Sequence, residues 1–384
     1  MIKNKNTKNI SFNNYEFISI FLIILFSLFM SIIPKNIILT CKSASVIGTL
    51  FLIIISYIVY YFLTKKTYDN EYDFFVIIKK TFPKIIQIII GISLFAFALF
   101  YVYTSICDVT FSLKNSTYNI TPFITIALYF LIALLIMTKN GLNSLFRISG
   151  YVAHIIFIII SILFIVSLPR IKITNFLPIF GSGIKDVFFI NLKNISLFTP
   201  LLFTLFFGHN ILRKDKNGKT NKNYVKSKNR INKIMFIFSL TLLMIIILYC
   251  GTMPTSLIEG RTALLFDVSR FITYTTTGLE TAPFLIAIFS FISFLETSFV
   301  FLVGLTFLEK LGVVKDYRKL RYICIIVLFF ALLMTSSMSA YIQISSIFNF
   351  VSIGVGFIFP IITLILYSLK NRKSKKIQGV LNES

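Results

Sequence analysis

The chain contains no tryptophan, and only 2 histidines, 4 cysteines and 14 acidic residues among its 384 positions. Acids and histidines this few and this scattered offer no metal cluster of the kind soluble proteins use. The cysteines, Cys41, Cys107, Cys250 and Cys324, show neither close pairing nor a metal spacing and read as small apolar residues at or near helix ends. No Gly-rich nucleotide loop, nucleophile–base constellation or cofactor motif is present, so the sequence reads as neither an enzyme nor a cofactor protein. Without tryptophan, anchoring at a lipid–water boundary falls to the 18 tyrosines and to Lys/Arg.

What is abundant is apolar. Hydrophobic residues make up 57% of the chain, 44 of them Phe, while only 14% of residues are charged. Apolar runs of about 20 residues, the length needed to cross a hydrocarbon core, recur along the chain. In lipid every backbone polar group must be paired internally, and runs that are continuous and not alternating select helices over a barrel. The net charge of +24 would suggest nucleic acid in a soluble protein. Here the basic residues lie between the apolar runs, so no nucleic-acid partner is expected and the surrounding medium is membrane lipid. No small-residue cleavage pattern follows the first run, which reads as a spanning helix that stays.

About ten spans are expected, at 16–34, 45–63, 85–107, 121–138, 149–168, 188–212, 234–253, 281–308, 322–338 and 345–369. The connections that would share the side of the two termini hold 29 Lys/Arg, and the alternate connections hold 8. Such a bias places both termini in the cytoplasm. The organisation expected is a single membrane domain, 1–384: six spans within 16–212, a flexible basic loop at 213–233, four spans within 234–369 and a basic tail at 370–384. Ten spans also divide into two sets of five. Five is odd, so the second set would run inverted, as in inverted-repeat transporters.

In such folds a ligand sits near the midplane, where corresponding helices of the two halves are interrupted. In the sixth span Pro200 lacks an amide hydrogen and displaces Thr199 from helical geometry. With Asn194 and Ser196 nearby, an interruption is expected there. In the first span Ser27 and Ser31 share a helix face before Pro34. The expected ligand site is therefore Ser27, Ser31, Ser196, Phe198, Thr199 and Pro200. Glu296 and His154, ionisable groups inside spans, are the candidates for coupling or gating. Lys193 is read as snorkelling to the outer surface.

These residues resemble a known family. Asn175-Phe176-Leu177-Pro178 followed by Gly181 and Gly183 is similar to the segment before the sixth helix of the endospore germination permeases, the B subunits of spore germinant receptors. Leu311-Gly312-Val313-Val314-Lys315-Asp316-Tyr317-Arg318 resembles their short basic loop after the eighth helix, and the Lys/Arg tail also fits. The likeness runs from Ile10 to Lys376 and implies the amino acid–polyamine–organocation transporter superfamily. It implies recognition of a small germinant such as an amino acid, a spore inner-membrane location, and partnership with a larger A subunit and a C lipoprotein. Two departures stand out. The family's Phe-Pro-Phe-Gly-type turn is replaced by Leu197-Phe198-Thr199-Pro200, and its Glu-Arg before the eighth helix is here Glu280-Thr281. The alternatives are an ion- or proton-coupled amino acid transporter and a scaffold with a degenerate ligand site.

Overall fold

A computed structural model describes residues 14–30, 32–69, 74–181, 183–207, 220–259, 282–314, 317–335 and 337–382. Every regular element among the described residues is helical. The chain opens with α1 (Asn14–Met30) and α2 (Ile32–Cys41), turns at Lys42, the described non-glycine residue with positive φ, and continues as α3 (Ser45–Asp69). The short α4 (Phe74–Thr81) buries Phe74, Phe75, Ile77 and Ile78 and leaves Lys79 and Lys80 exposed, an amphipathic strap rather than a span. Partial loss of water around its apolar stem and the neighbouring Lys310 ammonium push the Lys79 pKa below its ordinary value. Then come α5 (Lys84–Ser116), α6 (Phe123–Thr138), α7 (Leu142–Ser167) and the short α8 (Ile184–Phe188).

A 3₁₀ segment, Ile190–Leu201, leads into α9 (Leu202–Phe207). The second half holds α10 (Thr220–Thr252), the short α11 (Thr255–Glu259), α12 (Ala282–Lys310), α13 (Arg318–Met334) and α14 (Met338–Ile353). A π turn at Gly354–Ile358 joins α14 to α15 (Phe359–Asn382). Among the described residues, six helical stretches are long and apolar enough to cross a membrane: Pro34–Lys65, Lys84–Ser116, Leu142–Arg170, Met235–Thr252, Ile286–Lys310 and Met338–Asn371. Shorter apolar helices lie at Tyr15–Ser27 and Phe123–Thr138. With α13 and the 190–207 stretch they account for the ten apolar runs of the sequence.

The packing follows the division into two sets of five. α1 and α2 pack on the 190–201 segment, α3 on α10, α5 on α12 and α6 on α13. Each of the first four spans thus meets the span five places later. The α5–α12 contact is tight because both helices present small residues: a Cβ on Gly304 would lie 2.6 Å from the Ala98 Cβ. Small residues at this crossing let the backbones approach, which in lipid replaces the hydrophobic drive available in water. The outer surface stays apolar, with Ile58, Tyr129, Phe330 and Phe350 among its exposed side chains. Among the described residues the bundle is all-α, with the apolar outer surface and spanning lengths of an integral membrane protein.

Several boundaries differ from the sequence expectation. The connection expected at 35–44 is largely α2, which carries Pro34 in its first turn, where a missing amide hydrogen costs nothing. The third span runs on to Ser116, so Asp108 lies inside α5. The flexible loop at 213–233 is helical from Thr220, and α15 continues through the basic tail to Asn382. Lys and Asn end an apolar run without ending a helix, because their helix propensity is only modestly below that of Ala. Arg321, buried in α13, donates from one terminal nitrogen to the Thr138 carbonyl at 3.0 Å, capping the C-terminal end of α6 with a cation.

Candidate functional site

The 3₁₀ geometry of residues 190–201 decides how the sixth span presents its polar groups. With three residues per turn, side chains at i, i+3 and i+6 stack on one face. Lys193, Ser196 and Thr199 have this spacing, and their face meets α14. Ser196 Oγ donates to Asn349 Oδ1 at 3.0 Å, and Thr199 Oγ1 donates to the Ser352 carbonyl at 3.4 Å. One step further along the same register, Lys193 and Ser346 both line a cavity. The Thr199 side chain also closes on Gly356 in the π turn, where an added Cβ would fall 2.8 Å from Thr199 Cγ2. The start of the segment is pinned to α3: Asn191 Nδ2 donates to the Gly48 carbonyl, and Asn194 Nδ2 to Asn191 Oδ1, each at 3.0 Å.

The cavity, about 670 Å³, lies between α2, the 190–201 segment and α14. Its polar lining comprises Asn36, Thr40, Lys193, Asn194, Ser345, Ser346 and Asn349, against apolar Leu39, Ile342 and Ile353. Asn349 joins the two regions, since it lines the cavity and accepts from Ser196 beneath it. Deeper still, the Ser352 hydroxyl is fully buried with no partner among the described residues. It shares that state with the Ser56, Thr110 and Ser298 hydroxyls and with Arg321 Nε.

A second polar cluster forms where α1, α5 and α12 meet. Glu296 is 2% exposed; the Tyr101 hydroxyl donates to Oε1, and the Ser105 hydroxyl donates to Oε2 at 3.4 Å. The Ser27 hydroxyl is a further partner of this carboxyl and lies 3.4 Å from Ser293 Oγ. On α5 the polar face continues from Tyr101 and Ser105 to Asp108, a hydrogen-bond partner of Tyr341 on α14. Positions i, i+4 and i+7 share one helix face, so α5 carries a continuous polar track between α12 and α14.

Three of the candidate residues fall into the two polar clusters beside Glu296 and α14, and Phe198 and His154 do not. Ser27 joins Glu296, while Ser196 and Thr199 join α14. Phe198 is buried edge-on against Phe238, with ring centroids 5.3 Å apart, and faces away from the hydroxyl ladder. Pro200 lies within the 3₁₀ segment, and Ser31 lies outside the described residues. His154 is exposed on α7, with its Nε2 2.8 Å from the Tyr15 hydroxyl and its ring stacked on Tyr15, so it is not part of the buried Glu296 cluster. Sequence reading missed Asn349, Ser352, Tyr101, Ser105 and Asp108. The signal was available: Ser345, Asn349 and Ser352, like Tyr101, Ser105 and Asp108, follow the i, i+4, i+7 spacing.

An apolar helical bundle with its polar side chains gathered inside defines a multi-pass membrane protein of the transporter-like class. The fold is similar to that of Mhp1, a nucleobase-cation-symport-1 family transporter solved in a closed conformation with bromovinylhydantoin bound. The TM-score is 0.61 at 11% identity, covering 91% of this chain and 78% of that chain. At that identity the likeness speaks for the fold. The particular family follows from the sequence: the chain belongs to the spore germination protein family, whose profile matches residues 15–259. None of the curated proteins matches the chain.

Proposed function

We propose that this chain is the membrane subunit of a spore germinant receptor, binding a small germinant such as an amino acid and triggering germination with its partner subunits. The observation that carries the reading is the cavity between α2, the 190–201 segment and α14, with the Ser196–Asn349 and Thr199–Ser352 contacts beneath it. A polar ligand at membrane depth needs partners that lipid cannot give, and hydroxyls and amides supply them without burying a full charge. The ladder joins the sixth span to the tenth, so a guest that engages one changes the relation of both. A ligand that binds one arrangement better than the other shifts the equilibrium between them. The partners that read this shift are an A subunit and a C lipoprotein, the setting is the spore inner membrane, and both termini are cytoplasmic. With that orientation the cavity lies toward the external side of the bundle, between α2 and α14.

The test is removal of the gene from spores that carry it. Loss of the response to one germinant class, restored by the wild-type gene, supports the receptor reading. An unchanged response to every germinant contradicts it.

The buried Glu296 cluster favours a second reading, a proton- or ion-coupled transporter of amino acids. A carboxyl held by tyrosine and serine hydroxyls inside a bundle is the type of group that carries coupled protons. Uptake of labelled amino acid into proteoliposomes separates the two readings: a receptor binds without accumulation, and a transporter accumulates under an imposed gradient.

A further inference from the structure

We infer that the end of the bundle where α4 lies carries a site for anionic phospholipid, in which the ammonium groups of Lys79 on α4 and Lys310 at the end of α12 share one phosphate headgroup. The site is separate from the cavity and does not depend on what the cavity binds. Lys79 and Lys310 are both exposed, and each lies within range of the other's charge. Lost water and this second ammonium both disfavour the charge on Lys79, and among the described residues no anion offsets them. Glu309 adjoins Lys310, but consecutive residues of a helix do not face each other. Two like charges fixed near each other attract a counterion, and a phosphate offers acceptor oxygens to both at once.

The way α4 is fastened sets the position of Lys79. Gln87 Nε2 on α5 donates to the Lys79 and Phe82 carbonyls at 3.1 and 2.8 Å, and Lys370 Nζ on α15 donates to the Lys80 carbonyl at 2.8 Å. A cation at this C-terminal turn also suits the helix dipole. The apolar face of α4 rests on the ends of three spans. Phe74 meets Phe206 edge-on, with ring centroids 5.0 Å apart, and lies 6.3 Å from Phe359. Phe75 lies 4.9 Å from Phe206 and 5.8 Å from Phe307. A headgroup bound to Lys79 and Lys310 therefore ties α4 to α12 and stabilises this whole end. The surface beside the lysines favours a lipid over a free anion. α5 begins at Lys84, directly after α4, and leaves Ile85, Ile89 and Ile92 exposed at the i, i+4, i+7 spacing of one helix face, a stripe suited to an acyl chain. Lysines at a bilayer surface beside such a stripe meet the phosphate and the chain of the same molecule.

The experiment uses the purified full-length chain in neutral detergent micelles, into which phosphatidylglycerol or phosphatidylcholine is titrated while the thermal midpoint is followed. Phosphatidylglycerol should raise the midpoint, phosphatidylcholine should not, and the rise should shrink as salt is added. Lys79→Gln and Lys310→Gln should each weaken the apparent affinity for phosphatidylglycerol by roughly fivefold, the worth of one lysine at a charged surface. In phosphatidylcholine Lys79→Gln should unfold no earlier than the wild type, because it removes a repulsion. A lysine needed only for packing would instead lower the midpoint in both lipids alike. Lys139→Gln, exposed at the end of α6, should keep the wild-type affinity. An equal response to the two lipids overturns the inference, as does wild-type affinity in both Lys79→Gln and Lys310→Gln. An equal loss in Lys139→Gln overturns it too, since the attraction would then be spread over the whole surface. The full rise with inorganic phosphate alone would make this a free-anion site and not a lipid site. The comparison of the two lipids needs no variant, so it decides even if a substituted chain folds poorly.

Discussion

Ser196 and Asn349, 153 residues apart, are joined by a 3.0 Å hydrogen bond, and Thr199 and Ser352, separated by the same 153 residues, repeat the contact one turn on. A constant offset means that the 3₁₀ segment and α14 run parallel in register, so a displacement of one carries the other. The first prediction follows from this register. Ser196→Ala and Asn349→Ala should each cost about 0.5–1.5 kcal/mol of thermal stability. The double variant should cost less than the sum of the two, a coupling read from a double-mutant cycle. Strict additivity would mean that the hydrogen bond contributes nothing.

The α5–α12 crossing makes a packing prediction. In Gly304→Ala the new methyl meets Ala98 at a separation real atoms do not tolerate. The variant should lose about 1–3 kcal/mol, as overpacked sites do. Ala98→Gly in the same chain should recover most of that loss. Unchanged unfolding midpoints in Gly304→Ala would show that the helices do not approach this closely.

Glu296 makes a chemical prediction. Gln keeps acceptor capacity for the Tyr101 hydroxyl and removes the titrating proton. Glu296→Gln should fold with wild-type yield and change the dependence of the germination response on external pH or cation. A variant with the wild-type dependence on both would confine Glu296 to a structural role.

How much of this was legible beforehand depends on what each feature rests on. The ten apolar runs were legible because lipid demands length and hydrophobicity, both local properties of the chain. Helix ends were not: α5 reaches Ser116 and α10 begins at Thr220, since polar residues leave the membrane without leaving the helix. Pro200 flagged the irregular sixth span, yet the tight geometry starts ten residues earlier at Ile190, where Asn191 and Asn194 make their own bonds. Ser27 and Glu296 were each singled out, but nothing in a single sequence places partners so distant against the same carboxyl. Asp108 falls just beyond the expected end of the third span at 107, so an apolar-run boundary separates it from Tyr101 and Ser105, while the helix does not.

The orientation has its own check. The 29-to-8 partition of basic residues predicts a cytoplasmic reading for a reporter fused after Lys376. A reporter at Asn119, between α5 and α6, should read external. The reverse result at either position would contradict the ten-span topology, and the reverse at both would move the cavity to the cytoplasmic end.

The central claim, that a germinant bound near the Ser196–Thr199 ladder sets the response, is tested most directly by a germination dose–response in spores carrying Thr199→Val. Valine keeps the volume and removes the hydroxyl that donates to the Ser352 carbonyl, a bond worth about 0.5–1.5 kcal/mol, or up to about 3 kcal/mol if a buried partner is left unpaired. Since each 1.4 kcal/mol is a tenfold change, the half-maximal germinant concentration should rise between roughly twofold and a hundredfold. The amount of protein in the membrane should stay the same. A wild-type half-maximal concentration in both Thr199→Val and Ser196→Ala would contradict the account.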